Sequence, residues 1–320
     1  MDTVISVVAA EGPLRDRLVE ARCQSPHIGL SSRACGVLHA AQMKTTWGRQ
    51  RQRTFALTDD QEILASAEQY DLTGVFDGQV VRICGIGWMQ GDRRHVSQLV
   101  ERLFGAAARE RMEIGVLFSD TALDDDVGGR FEPIRFTDAT LSVAQSPRHG
   151  APMTLVRAGE ERDLAAIVAM GRARAERFRF HLDRDVDFVK YAITSKRLFA
   201  GLGPANARQL QFFIAEEGIT AAAYVVLSVV GECWTLEECG DRDVSGARVG
   251  ALLQALIARE PMERRPTIRG WLPPGFMPPQ VTVVSATPSV ETIRVRVLDS
   301  SKMVRPLSSV DVLFWRNDLL

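Results

Sequence analysis

Apolar residues fall along this chain in short strand-like runs, separated by turn residues and by stretches with helical spacing. The densest run is Ile219–Val230, which ends in Tyr-Val-Val-Leu-Ser-Val-Val. Such a run, rich in β-branched residues, describes a strand buried on both faces. It is too short to cross a bilayer as a helix. Gln211–Glu217 and Cys233–Glu238 flank it as further strands, followed by the loop Cys239–Gly246 and a helix over Ala247–Arg259. The first half repeats the order. Arg53–Asp59, Glu62–Phe76 and Gln79–Met89 read as strands, Gln90–Arg94 as a short loop and His95–Met112 as a helix. A strand feeding a glycine-bearing loop and a helix start is a common phosphate holder. The first turn of a helix offers unpaired N–H groups and the positive end of its dipole.

The remaining elements fit the same two-part plan. Ser146–Met153 holds two prolines and a glycine between strand-like segments and reads as a boundary. The expected units are residues 1–148 and 152–320. Thr154–Arg157 opens the second as a strand. Gly159–Ala175 follows as a helix, with Glu160 and Glu161 in its first turn and an apolar stripe of Leu164, Ile167, Val168 and Met170. Val186–Ser195 reads as a helix and Gly201–Ala207 as a loop. Thr267–Leu272, Thr292–Leu298 and Val310–Trp315 read as strands, as do Glu113–Phe118, Phe131–Ile134 and Ala139–Val143 in the first half.

Charge narrows the function classes. The 320 residues carry a formal net charge of -1, so no basic field marks a nucleic-acid or anionic-membrane partner. The cysteines are Cys23, Cys35, Cys84, Cys233 and Cys239, an odd number with no C-x-x-C pair. Cys84, Cys233 and Cys239 lie in or beside strands, where a free thiol acts as a small apolar residue. A reduced, cytoplasmic setting fits this usage, and no signal peptide is legible. His27, His39, His95 and His149 have no metal-ligand spacing, and Asp124–Asp126 lacks the alternation of a calcium loop, so no metal is expected.

The order of elements resembles the GCN5-related N-acetyltransferase superfamily in two tandem copies. Thr154-Leu-Val-Arg-Ala-Gly-Glu-Glu-Arg-Asp-Leu-Ala-Ala-Ile-Val is similar to the opening strand and helix of such a domain. Phe76-Asp-Gly-Gln-Val-Val-Arg-Ile-Cys-Gly-Ile-Gly, Leu99-Val-Glu-Arg-Leu-Phe and Gly129-Arg-Phe-Glu-Pro-Ile resemble parts of the N-terminal domain of larger two-domain members. The resemblance implies an α/β fold with mixed, mostly antiparallel sheets. It also implies acetyl-CoA as co-substrate and an amine acceptor, either a small molecule or a peptide. In that family the pyrophosphate rests on a loop written [Q/R]-x-x-G-x-[G/A]. Asp243-Val-Ser-Gly-Ala-Arg stands there in the second copy, with Asp243 for the Gln/Arg and Arg248 for the last small residue. The first copy has the shorter Trp88-Met-Gln-Gly-Asp-Arg-Arg-His-Val.

On that footing the second copy is the expected cofactor site. Leu236, Arg242, Val244, Ser245, Gly246, Ala247 and Arg248 would hold the cofactor, and Glu237 or Glu238 would take the acceptor's proton. The alternative for Gly240–Gly246 is an ordinary turn capped by Ser245 or Asp243. The family often uses a tyrosine after the fifth strand as acid. Tyr70, Tyr191 and Tyr224 all lie elsewhere, leaving a water, Ser285 or Ser289. A non-catalytic module that binds CoA or a partner is the rival function. His181, Asp183, Arg184 and Asp185 would shape the acceptor pocket or form a solvated loop. Trp271-Leu-Pro-Pro-Gly-Phe-Met-Pro-Pro would wall a channel or pack the copies together. Apolar strand faces leave a homodimer possible.

Overall fold

The computed structural model describes residues 5–23, 29–59, 62–118, 123, 127, 130–145, 155–204, 207–299 and 305–318. The boundary segment Ser146–Met153 and the acidic run Asp124–Asp126 lie outside the described residues. The first half runs β1 (Ile5–Ala9), α1 (Gly12–Cys23), α2 (Ser32–Lys44), α3 (Thr46–Arg51), β2 (Gln52–Asp59), β3 (Glu62–Phe76), β4 (Gln79–Gly91), α4 (Arg93–Arg109), β5 (Ile114–Phe118) and β6 (Glu132–Val143). The second half runs β7 (Leu155–Ala158), α5 (Leu164–Ala175), β8 (Phe180–Leu182), α6 (Val186–Leu202), β9 (Gln209–Glu217), β10 (Thr220–Val230), β11 (Cys233–Asp241), α7 (Ala247–Ile257), β12 (Thr267–Gly270), β13 (Val281–Val297) and β14 (Val312–Leu313).

Local chemistry accounts for the helices that frame the sheet. Asp92 caps α4, accepting from the N–H of His95 at 3.0 Å. Val96, Leu99, Val100, Leu103, Phe104 and Ala107 then bury one face of α4 at helical spacing. Asp185 caps α6 through the N–H of Phe188 at 2.7 Å. A capping box between Glu160 and Asp163 opens a 3₁₀ turn, so α5 begins at Leu164 and not at Gly159. The helices α1 to α3 had no sequence expectation. Among the residues of α1, only Leu18 and Val19 are buried apolar groups, too few to print a stripe.

The described strands join one sheet, in the order β1-β2-β3-β4-β5-β13-β6-β12-β11-β10-β9-β7, with β8 branching from β3 and β14 pairing with β8. Its centre is an exchange between the two halves. β6 and β13 run antiparallel along nearly their whole length, from Val281↔Val143 to Val295↔Glu132. At one end β13 also pairs with β5 of the first half (Val297↔Ile114); at the other, β6 pairs with β12 of the second half (Gly270↔Ala139). Each half thus supplies a strand that completes the other's sheet. Phe131–Ile134 and Ala139–Val143 are consequently parts of one strand, and Thr292–Leu298 is only the end of β13.

The burial phase of β6 records the crossing. Ile134 and Phe136 face one core, and Ala139, Leu141 and Val143 face another, a one-residue slip in a period of two. The core shared by both halves includes Tyr70, Phe118, Ile134 and Phe136 with Phe180, Tyr191, Trp271 and Phe314. Trp271 stacks on Phe136 at 4.1 Å and donates to the carbonyl of Phe314 at 3.1 Å. It therefore packs the halves together. Among the described residues, no helix is long and apolar enough to cross a membrane. Cys84, Cys233 and Cys239 are free, whereas Cys35 is disulfide-bonded, which a fully reduced setting does not anticipate.

Candidate active site

In both halves the fourth strand carries a β-bulge where it leaves the fifth. In the second half β11 pairs with β12 only over Cys233–Leu236. Its ladder with β10 passes from Val226↔Glu238 to Leu227↔Leu236, so Glu237 is the extra residue. In the first half β4 follows β5 only as far as Gly87↔Phe118. Its pairing with β3 passes from Glu68↔Gly87 to Ser66↔Gln90, and Trp88 in the bulge adopts φ 48. The two strand ends are equivalent in the fold but differ in what surrounds them.

The second-half groove is filled by the chain itself. Asp241, buried at the end of β11, accepts the backbone N–H of Arg248 at 2.8 Å and of Val249 at 3.2 Å. Its other oxygen accepts from Asp243 at 2.8 Å. Asp243 accepts from the N–H of Ser245, and the Ser245 hydroxyl accepts from that of Ala247. A carboxylate thus occupies the helix terminus where a pyrophosphate would sit. Gly246 has φ 71, and a Cβ built on it would lie 2.5 Å from the buried ring of Phe276. The Arg174 guanidinium packs 3.6 Å from that ring's centroid.

The other residues expected to hold a cofactor here are committed elsewhere. Arg248 forks onto Glu217 at 2.6 and 3.0 Å. Arg242 donates to Thr220 at 3.3 Å, Leu236 is buried, and Val244 is 88% exposed. The groove does not fit acetyl-CoA, because Phe276 and Asp241 occupy the cradle. Asp241 rather than Ser245 or Asp243 is the main cap. A carboxylate that reaches forward from the preceding strand has no fixed sequence offset, so local reading misses it.

The two glutamates have separate fates. Glu238 is 0% exposed, and its oxygens accept from both Nη atoms of Arg184 at 2.7 Å and from Asn317 at 3.0 Å. The Tyr224 hydroxyl donates to it as well. Burial pushes its pKa up, but Arg184, Tyr224 and Asn317 outweigh this and hold it below the usual range. With its acceptor capacity used, Glu238 is a structural anchor and not a base. Arg184 also meets Asp318 at 3.1 Å, so it is a buried hub between β11 and the C-terminal turn and not a solvated charge. His181 is buried in β8, Asp185 is the α6 cap, and Asp183 pairs with Arg172 at the surface.

Glu237 faces a cavity of about 400 Å³ between the halves. Trp88, Tyr191, Lys196, Glu291 and Arg316 also line it. Lys196 donates to Glu237 at 2.6 Å and to the carbonyl of Arg316 at 2.7 Å. Burial pushes the Glu237 pKa up, but Lys196, Ser228 and Arg316 together outweigh it and hold it below the usual range, so it stays ionised. Glu291, from the bend of β13, has its pKa raised by burial, and its Oε2 makes no hydrogen bond although Arg316 lies 3.1 Å away. Sequence reasoning missed Trp88, Lys196 and Glu291, because tertiary packing between segments far apart in the chain brings them together.

The first-half strand end adjoins this cavity through Trp88. Gly91, Asp92, Arg93 and Arg94, at the start of α4, are all exposed. None of the three tyrosines is placed to act as an acid. Tyr70 donates to Glu68 at 2.6 Å, Tyr191 to Gln52 at 2.8 Å and Tyr224 to Glu238, all within buried networks. Ser285 is exposed on β13, and Ser289 caps the N–H of Glu291 at 3.2 Å. Among the described residues, no group of three or more His, Cys, Asp or Glu side chains is arranged to hold a metal.

No protein-family model matches the chain, and no curated protein gives a significant match. Solved structures do. A GCN5-related N-acetyltransferase from Kribbella flavida superposes with a TM-score of 0.65 at 17% identity, covering 93% of this chain and 72% of that one. A conserved protein from Enterococcus faecalis, a probable N-acyltransferase, gives 0.64 at 10% identity over 92% and 73%. A GCN5-related N-acetyltransferase from Anabaena variabilis gives 0.62 at 9% identity over 92% and 73%. The chain has the fold of the GCN5-related N-acetyltransferases.

Proposed function

We propose that the protein is an N-acyltransferase with one working cleft, built on the first-half strand end and the cavity between the halves. One contrast carries this reading: the second helix start lies under Phe276 and is capped by the buried Asp241, whereas α4 is capped by the exposed Asp92, and Gly91–Arg94 stand exposed at the end of the strand whose Trp88 lines a cavity with two carboxylates. Acetyl-CoA, when bound, would supply an activated thioester. Arg93, Arg94 and the first turn of α4 would hold its phosphates. The backbone at the Trp88 bulge, free of the β5 ladder beyond Gly87, would offer an N–H to the developing oxyanion.

The acceptor amine would enter the cavity. Glu237, kept ionised by Lys196, would attract and orient its ammonium. Glu291, whose pKa burial raises, would take the proton before attack. The cavity is walled by Trp88, Tyr191 and Phe199, which suits an amine with an apolar body. Acetyl-CoA consumption against a panel of primary amines tests the reading. Glu291→Gln should lower kcat by about 10²-fold or more with less effect on KM.

Binding without turnover is the second reading. The observation that favours it is that all three tyrosine hydroxyls are tied into buried networks, leaving no evident acid for the thiolate. Saturable acetyl-CoA binding with no turnover on any amine would decide for it.

A further inference from the structure

A second cavity, of about 520 Å³, lies between α1 and α2, away from the cleft. Its floor is His39, 6% exposed, and neither ring nitrogen makes a hydrogen bond. The nearest charged group, a Glu68 oxygen, is 3.7 Å from Nδ1, beyond hydrogen-bond reach. Burial lowers the His39 pKa, so the ring is neutral and presents one N–H and one lone pair. Arg15 on the opposite wall has a buried Nε that makes no hydrogen bond; Asp16 approaches it only to 3.8 Å and is largely exposed. A guanidinium Nε can only donate. Arg33 and Lys44 complete the rim, against Glu20.

A buried imidazole and a buried guanidinium Nε, neither with a hydrogen bond, belong to residues lining one cavity with three cations against two carboxylates, and they want acceptor atoms. We infer that the groove between α1 and α2 is a binding site for a small oxyanion-bearing molecule, a carboxylate or a phosphate, separate from the acyl-transfer cleft. Arg15 and His39 donate to the oxyanion, and Arg33 and Lys44 supply charge from the rim. The cavity exceeds what one phosphate group fills, so the ligand carries an organic body. The site is not remote in effect. Leu38 and Gln42 of α2 line the cleft cavity, and Glu68 beside His39 binds Arg22, which lies 5.0 Å over the ring of Trp88.

Calorimetric titration of the full chain with inorganic phosphate and, separately, with acetate tests the site. Saturable binding of either supports it, and the stronger of the two names the headgroup. Affinity should fall by about tenfold or more in Arg15→Gln and in Arg33→Gln, and stay unchanged in Arg208→Gln at the rim of the other cavity. His39→Phe should abolish binding; if that variant does not fold, the exposed Arg33→Gln carries the test alone. The proposal is overturned if neither ion binds saturably at millimolar concentration. Equal affinity in wild type, Arg15→Gln and Arg33→Gln, or loss in Arg208→Gln, also overturns it.

Discussion

Gly246 and Phe276 are in direct contact: a Cβ on the glycine would lie 2.5 Å from the phenyl ring. Gly246 is also held at φ 71, where a side chain is strained. Gly246→Ala should therefore destabilise the protein by about 1–3 kcal/mol. Gly171 in α5 provides the opposite case, since nothing lies within 4 Å of its added Cβ. Gly171→Ala should stabilise by about 0.4–1 kcal/mol. Urea unfolding of both variants checks the pair of signs.

Adjacent glutamates should separate structure from chemistry. Glu238→Gln leaves the buried Arg184 with Asp318 as its remaining counter-charge and should cost about 3 kcal/mol. Glu237→Gln leaves Lys196 partly solvated and bonded to the Arg316 carbonyl, so about 1–2 kcal/mol is expected. Turnover should fall in Glu237→Gln at temperatures where it is fully folded. A larger stability loss at position 237 than at 238 would contradict the assignment of roles.

Acid should act on stability in two opposite stages. Asp318 is raised from 3.8 to about 6, mainly by burial, so the folded chain binds that proton more tightly than the unfolded chain. Unfolding free energy should grow as pH falls through 6, and Asp318→Asn should remove that slope. Glu238 and Glu68 are held below their ordinary 4.5. Their stabilisation is complete above that value and lost as pH falls through their lowered pKa values. Urea midpoints measured from pH 7 to pH 3 would show the rise and then the fall.

Much of the fold was legible because it is written locally. Glu62–Phe76 has the bounds that the apolar pattern predicts, and Ile219–Val230 differs by one residue. The strand exchange was not legible. Nothing in Phe131–Ile134 or Ala139–Val143 says that one strand serves both halves of the sheet; only the phase slip at Thr137–Asp138 hints at it. The site suffered most. Glu237 was found because the predicted strand ends beside it, although β11 runs on to Asp241, but Lys196, Glu291 and Trp88 approach it from segments far apart in sequence. The filling of the second groove was hidden for the same reason: Phe276 and Asp241 lie on opposite sides of Gly246 along the chain.

The most direct test of a single working cleft places a negative charge at each helix start in turn. Arg94, in the first turn of α4, is exposed, and Val244, in the loop before α7, is 88% exposed, so neither substitution disturbs a core. Acetyl-CoA would be titrated calorimetrically into wild type, Arg94→Glu and Val244→Glu. The account predicts binding to wild type and Val244→Glu, with loss of about tenfold or more in Arg94→Glu. Loss in Val244→Glu with binding kept in Arg94→Glu would put the cofactor in the second groove and contradict it.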